Sequence, residues 1–99
     1  MRRGTTPTHR FKTDADLTEA TVLYITYQQD GETVLEKTLE DCTITPCAVS
    51  VTLTQAETLE FSTAGYVSVQ IRAGFADGSR VASSILKIPV GEILKDGEI

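Results

Sequence analysis

The chain has 99 residues, of which 40% are hydrophobic and 23% charged, a composition typical of one globular domain and not of a disordered chain. Its net charge is −5, yet residues 1–12 carry four of the nine basic side chains and none of the fourteen acidic ones. Residues 13–99 therefore hold five basic and fourteen acidic side chains. Because so acidic a surface repels phosphate backbones, we expect no nucleic-acid partner.

The start of the chain does not read as a targeting signal. The first basic residues are followed by residues 4–9 (GTTPTH), whereas a secretory peptide has an apolar stretch of ~7–15 residues there. No run of residues approaches the ~18 apolar side chains of a membrane span. We therefore expect no membrane partner and a protein made and kept in a cytoplasm, unless assembly carries it elsewhere.

The first predicted strand covers residues 6–11 (TPTHRF). Pro7 cannot donate to a sheet ladder, so this strand should lie at an edge, with Phe11 in the core. His9 shares a face with Phe11 on an alternating strand. We therefore interpret this histidine, the only one in the chain, as a partly buried structural imidazole and not as a catalytic base.

A hairpin follows. Residues 20–28 are rich in β-branched and aromatic side chains, and their core face should carry Leu23, Ile25 and Tyr27. Asp30-Gly31 supplies the positive φ angles of a tight turn. The returning strand, residues 33–39, places Leu35 and Leu39 on one face.

The next segment combines two short strands with the one credible helix. A strand over residues 42–44 ends before Pro46, and residues 48–53 alternate so that Val49, Val51 and Leu53 face inward. A helical turn is predicted near 54–60, because Thr54 as N-cap and Glu57 three residues later form a capping box.

The last third contains the most regular alternation in the chain. Residues 66–73 should direct Val67, Val69, Ile71 and Ala73 to the core. We expect Tyr66, at the start of this strand, to pack against the preceding corner, with exposure for protein contact as the alternative. Asp77-Gly78 predicts a second hairpin into a strand over 81–90, which Pro89 ends or confines to an edge.

Six to seven short strands, with turns about every ten residues, predict an all-β antiparallel sandwich; a partly open barrel is the alternative. We expect a single domain over residues 1–99. Residues 1–5 form a basic arm, and the tail, residues 91–99, either docks on the body or stays flexible.

Cys42 and Cys47 have four residues between them. A metal site would need two more soft ligands, and a thioredoxin-type redox pair has two intervening residues. A disulfide across a tight turn is geometrically possible, but two reduced thiols are favoured for a cytoplasmic protein.

Catalytic patterns are weak. The carboxylate pairs Asp14/Asp16 and Glu40/Asp41 fall in predicted polar loops, and neither a calcium loop nor a phosphate-binding glycine loop is present. We expect no enzyme activity, cofactor, metal or small-molecule substrate. Tyr24, on the non-core face of its strand, is a candidate for protein contact, although burial of its ring is an equal alternative.

The chain resembles small proteins encoded by phages and prophages. The resemblance covers nearly the whole chain and is carried by residues 1–8 (MRRGTTPT), 34–37 (VLEK), 40–43 (EDCT), 51–59 (VTLTQAETL), 69–72 (VQIR) and 90–97 (VGEILKDG). Cys47 departs from the family pattern, which further weakens the disulfide hypothesis.

The resemblance implies a tail- or baseplate-associated virion component. It also implies a fold similar to the immunoglobulin-like N-terminal domain of baseplate upper proteins. The expected partners are other phage structural proteins, including further copies of the chain, and the expected location is the bacterial cytoplasm during assembly or the virion. The arm residues Arg2 and Arg3 should then dock on an acidic surface of a neighbouring subunit, unless the terminus is disordered.

Two other functions remain open from the sequence. The first is a module that binds a glycan or protein on the host surface, although the chain has no Trp and only three Tyr to provide aromatic platforms. The second is a small intracellular regulator that blocks a host protein with its acidic surface. Fold class alone does not choose among these.

Overall fold

A computed structural model describes all 99 residues and contains eight β-strands, one α-helix and one 3₁₀ turn. In chain order the elements are β1 (Thr8–Lys12), β2 (Val22–Gln29), β3 (Glu32–Thr38), the 3₁₀ turn (Leu39–Asp41), β4 (Cys42–Thr45), β5 (Ala48–Thr52), α1 (Gln55–Leu59), β6 (Tyr66–Gly74), β7 (Arg80–Ala82) and β8 (Leu86–Pro89). The strands form two antiparallel sheets, ordered β1-β5-β4 and β3-β2-β6, with β7 and β8 both paired to the far side of β6. The predicted antiparallel sandwich is therefore confirmed.

The strand order is that of an immunoglobulin-type sandwich without its first strand. In that fold strands A, B, E and D form one sheet, while C, F and G, extended by C′ in variable domains, form the other. Here β1, β5 and β4 take the positions of B, E and D, and β3, β2, β6 and β7/β8 take those of C′, C, F and G. The segment before β1 makes one parallel bridge, between Arg2 and Gly91.

The core lies between the inner faces of the two sheets. The alternation in β2, β5 and β6 was predicted correctly, and every one of the side chains expected to point inward is buried: Leu23, Ile25, Tyr27, Val49, Val51, Leu53, Val67, Val69, Ile71 and Ala73. Phe11 of the edge strand β1 is also buried, as predicted, and Phe61 packs its ring 5.8 Å from that of Tyr27. Each large apolar side chain buried in this way contributes roughly 1.5–3 kcal/mol.

The predicted first hairpin and helix are both present. Asp30 and Gly31 adopt φ angles of 51° and 77°, the left-handed pair that a tight turn between β2 and β3 requires. At the start of α1, Thr54 Oγ1 accepts a hydrogen bond from the Glu57 amide at 3.1 Å, and Glu57 Oε1 accepts one from the Thr54 amide at 2.8 Å. The capping box is thus confirmed.

The predicted strand over residues 81–90 is wrong in one respect, because it is divided into β7 and β8. At the break, Ser83 Oγ accepts the Ile71 amide at 3.0 Å, and the Ser83 amide donates to the Ile71 carbonyl at 2.8 Å. The Ser83 side chain therefore replaces a backbone carbonyl as the acceptor in the ladder, and the strand is interrupted there. As a result the chain has eight strands, where six to seven were expected.

The predicted packing of Tyr66 against the preceding corner is also wrong. Its side chain is 62% exposed, because the residues of β6 that face the core are the odd-numbered ones. The corner is held instead by the Gln29 side chain, whose Nε2 donates to the Ser62 carbonyl and whose Oε1 accepts from the Ser62 amide, both at 2.7 Å.

The cysteines are free thiols, in agreement with the predicted reduced state. Cys42 lies opposite Val51, whereas Cys47 lies in the turn that follows the Thr45–Ala48 pair. Three residues of strand, about 10 Å, separate Cys42 from that turn. Since a disulfide needs Cα atoms within about 7 Å, the register of the β4–β5 hairpin keeps the two thiols apart.

Candidate functional site

Of the two arm residues, Arg3 binds its own chain. Its Nε donates to the Phe61 carbonyl at 2.7 Å and its Nη2 to the Leu59 carbonyl at 3.1 Å, so the guanidinium caps the C-terminal end of α1. Asp96 lies 3.5 Å from the same guanidinium in an exposed ion pair. These contacts give Arg3 a role within the fold and leave little of it for a neighbouring subunit.

Arg2 is the more exposed arm residue, although it too contacts its own chain through a hydrogen bond to the Glu92 carbonyl. The arm is fixed further along by Thr5, whose amide donates to Thr58 Oγ1 at 3.1 Å and whose carbonyl accepts from the same hydroxyl at 2.8 Å. Docking of the arm on an acidic neighbour remains a prediction, and Arg2 is the residue that could serve it.

Tyr24 is 43% exposed on the outer face of the larger sheet, where its ring lies beside Arg72, its register partner on β6. Arg80 runs across β6 above Gly74, since a Cβ atom on this glycine would lie 2.9 Å from Arg80 Cδ. The three side chains and Val22 line a shallow cleft of about 130 Å³. Neither arginine lies within ion-pair distance of a carboxylate, so this face combines an aromatic ring with positive charge.

The strand pair at the edge of this sheet also exposes large apolar side chains that the sequence analysis did not single out. Ile85 is 62% exposed, and Leu86 and Val81 are exposed as well. Adjacent residues of a strand point to opposite faces, so Ile85 and Leu86 cannot both face the core. This break in alternation is the sequence feature that could have revealed an exposed apolar side chain here. Val81 and Leu86 lie opposite the inward residues Ala73 and Val69, whereas Ile85 lines the outer face. Exposed apolar side chains at a sheet edge are typical of protein contact surfaces.

A second, larger cleft lies between β1 and β7, in the place that strand A occupies in immunoglobulin-type sandwiches. This β1–β7 cleft has a volume of about 320 Å³ and is lined by residues 12–15, Leu17, Ile71 and residues 81–84. Its apolar lining comes chiefly from Leu17, Ile71 and Val81. Thr13, which also lines the cleft, has a buried hydroxyl without a hydrogen-bond partner in the chain.

Two polar pairs lie inside the sandwich away from these surfaces. His9 Nδ1 and Tyr27 Oη are joined by a hydrogen bond of 2.7 Å, and the His9 ring lies 6.0 Å from that of Phe11, the face predicted for it. Burial lowers the pKa of His9 and raises that of Tyr27. Both groups are therefore held neutral at pH 7, and their hydrogen bond ties the edge strand β1 to β2.

The second pair is an ion pair that the sequence did not reveal. Lys37 is only 8% exposed and its Nζ lies 2.7 Å from Glu57 Oε2. Burial raises the pKa of Glu57, but hydrogen bonds from Lys37 and Thr54 outweigh it and hold that pKa below its usual value. In the sequence Lys37 alternates with Leu35 and Leu39, which share its face. A lysine at an otherwise apolar position of this alternation is the only sequence feature that indicates a buried charge here.

The carboxylate pairs considered in the sequence are exposed in loops and turns, as predicted. Asp16 accepts from the Thr18 amide and hydroxyl, and Asp41 accepts from the Thr38 amide and hydroxyl. These bonds lower the pKa of both carboxyls, which serve local turns. The helix α1 has five residues, so the structure contains no helix of the length and apolarity needed to cross a membrane.

Comparisons with protein-family models, with curated proteins and with solved structures give no significant match. The surfaces described above are therefore the basis for a functional proposal.

Proposed function

We propose that the chain is a non-enzymatic structural or adapter protein of a phage particle, associated with the tail or baseplate and acting through protein–protein contacts. The observation that carries this proposal is the exposure of large side chains along one sheet: Tyr24, Tyr66, Val81, Ile85 and Leu86. Solvent-exposed apolar and aromatic groups so placed favour contact with another protein surface.

Three further features support a role in assembly. The chain resembles phage-encoded proteins at both its opening and its ending, residues 1–8 and 90–97. Both sheets end in strands with unpaired edges, at β1 and at β7, and such edges are where a further strand can be added. Arg72 and Arg80 place positive charge on a molecule whose net charge is −5, which favours an acidic partner surface.

Quantitative mass spectrometry of purified, induced phage particles tests the proposal. We expect the chain in intact particles at a fixed copy number relative to the tail proteins, and this number would indicate its ring symmetry. Absence of the chain from intact particles, with abundant protein free in the lysate, would overturn the proposal.

A further inference from the structure

We infer that the β1–β7 cleft binds an extended segment of a second copy of this chain, residues 92–99, as a strand added along β1. The inference deepens the proposed function and rests on it for its biological setting, because it names the contact through which copies of a structural protein would associate.

The outer edge of β1 has the hydrogen-bonding groups that a further strand needs. The Leu53 amide donates to the Pro7 carbonyl and the Thr13 amide to the Cys47 carbonyl, each at 2.9 Å. Because bonding alternates along an antiparallel pair, the odd-numbered residues of β1 bind β5. The amides and carbonyls of Thr8, Arg10 and Lys12 therefore point away from β5, toward the open edge.

The cleft beside this edge has room for side chains from an added strand. An apolar cavity of about 150 Å³ holds a benzene molecule, and the volume here is about 320 Å³. Leu17 and Ile71 form the floor, and Val81 of the opposite edge is 37% exposed above it.

Residues 92–99 have the properties of the incoming strand. They belong to no helix or strand and make no backbone–backbone hydrogen bond. Leu94 and Ile99 are almost completely exposed, at 106% and 93%, so the segment's own fold provides no packing for these two side chains. Burial in an apolar cleft would stabilise both.

The charges of the two surfaces are complementary. Residues 92–99 contain the acidic Glu92, Asp96 and Glu98 against one basic residue, Lys95. On the β1 edge, Arg10 and Lys12 are exposed and neither takes part in an ion pair. The positive edge therefore favours an acidic strand and disfavours a basic one.

The positions of the segment and the cleft imply a head-to-tail contact. Residues 92–99 lie near α1, where Ile99 bonds to Gln55, at the end of the sandwich where β6 begins. The β6 residue that lines the cleft is Ile71, five residues along the strand from Tyr66, or about 17 Å away. In its own chain the segment is held beside α1, where Asp96 pairs with Arg3, and none of its residues lines the cleft. A second copy supplies it instead, in a contact that generates rings or open filaments.

Two variants test the inference in the full chain. Val81→Glu places negative charge and bulk at the cleft, and the double variant Leu94→Glu/Ile99→Glu removes the apolar side chains from the segment. Sedimentation velocity from ~10 to ~500 μM covers the range where a weak contact becomes populated. We expect the wild type to form a concentration-dependent series of oligomers and each variant alone to stay monomeric, with association weakened at least tenfold.

An equimolar mixture of the two variants gives the sharpest result. The cleft variant retains an intact segment and the segment variant retains an intact cleft, so the mixture should form a dimer and nothing larger. Thr43→Glu, at an exposed position of β4 that does not line the cleft, is the control and should associate as the wild type does. Thermal unfolding of each variant near that of the wild type shows that the folds are equivalent.

Several outcomes would overturn the inference. These are a monomeric wild type over the whole range, a monomeric mixture, or association abolished by Thr43→Glu but not by the other variants. Failure of the inference is distinct from failure of the proposed function. A chain present in particles at a fixed copy number, whose incorporation is unchanged by the cleft and segment variants, would keep the function and reject this contact.

Discussion

The hydrogen bond between His9 and Tyr27 makes the stability of the fold depend on pH. Burial lowers the pKa of His9 in the folded chain, while in the unfolded chain the ring returns to a pKa of ~6.5. Between these two pKa values the unfolded chain binds a proton that the folded chain does not. The stabilising contribution of the neutral ring is therefore complete above about pH 6.5 and is lost as the pH falls through the folded-state pKa.

We expect the free energy of unfolding, measured by urea denaturation, to fall between pH 7.5 and 5.5, a window chosen around the ~6.5 reference pKa. His9→Gln keeps a hydrogen-bonding side chain beside Tyr27 but does not titrate, so its stability should be nearly constant over this window. No other histidine is present to confuse the comparison. An equal loss of stability in His9→Gln and in the wild type would contradict this assignment.

Removing the charge of Glu57 should lower the free energy of unfolding more than removing that of Lys37, its partner in the buried ion pair. The Lys37 side chain is 10% exposed and the Glu57 side chain 24% exposed, so an unpaired ammonium has less access to water than an unpaired carboxylate. Breaking a fully buried pair costs about 3–5 kcal/mol. For this partly hydrated pair we expect Glu57→Gln to lose about 2 kcal/mol and Lys37→Met about 1 kcal/mol, measured by urea denaturation at pH 7.

The matched control for that comparison is Glu32→Gln, at an exposed position on the same strand as Lys37. It should change the unfolding free energy by less than about 0.5 kcal/mol. A double variant, Lys37→Met/Glu57→Gln, that loses the full sum of the two single effects would show that the pair is not coupled.

Among the elements, the broken edge strand β7–β8 depends on one side chain. Ser83 Oγ is the acceptor for the Ile71 amide at the position where the ladder is interrupted. Ser83→Ala leaves this half-buried amide without an acceptor, at a cost of about 1 kcal/mol. Ser84→Ala, at the exposed next position, should leave the unfolding free energy within about 0.5 kcal/mol of the wild type. Denaturation curves that coincide for the two variants would disprove this role for Ser83.

The elements also show which features were predictable. Alternation was sufficient for the core faces of β2, β5 and β6, since every second side chain of a half-buried strand is apolar, and the capping box located α1. The break at Ser83 depends on its contact with Ile71 in another strand, which no local pattern encodes. The β1–β7 cleft likewise exists only because β1 and β7 belong to different sheets that face each other.

In the whole molecule, protection from hydrogen exchange should decrease from the centre of the larger sheet to its edges and the tail. β2 and β6 are paired on both sides and their inward side chains are buried, so their amides open only with the whole fold. β1 and β4 are paired on one side only. The amides of residues 92–98 make no hydrogen bond and should exchange within the shortest labelling times.

The head-to-tail contact predicts a change in this pattern with protein concentration. The amides of Thr8, Arg10 and Lys12 point to the open edge of β1, so an added strand would protect these three, while His9 and Phe11 are already bonded to β5. Exchange followed by NMR at low and high concentration should slow the outward amides selectively. Strand addition would slow exchange only at every second residue of β1, whereas general crowding of the surface would slow neighbouring amides equally.

The open edge of β4 provides an internal control for this measurement. The residues of β5 that do not bond to β1 bond to Thr43 and Thr45, so the Ile44 amide points away from the sheet as the outward amides of β1 do. β4 does not border the β1–β7 cleft, and its edge lacks the positive charge of Arg10 and Lys12. The exchange rate of Ile44 should therefore not depend on concentration. Equal slowing at Ile44 and Arg10 would indicate that any strand edge of this chain associates, and that neither the cleft nor its charge selects residues 92–99.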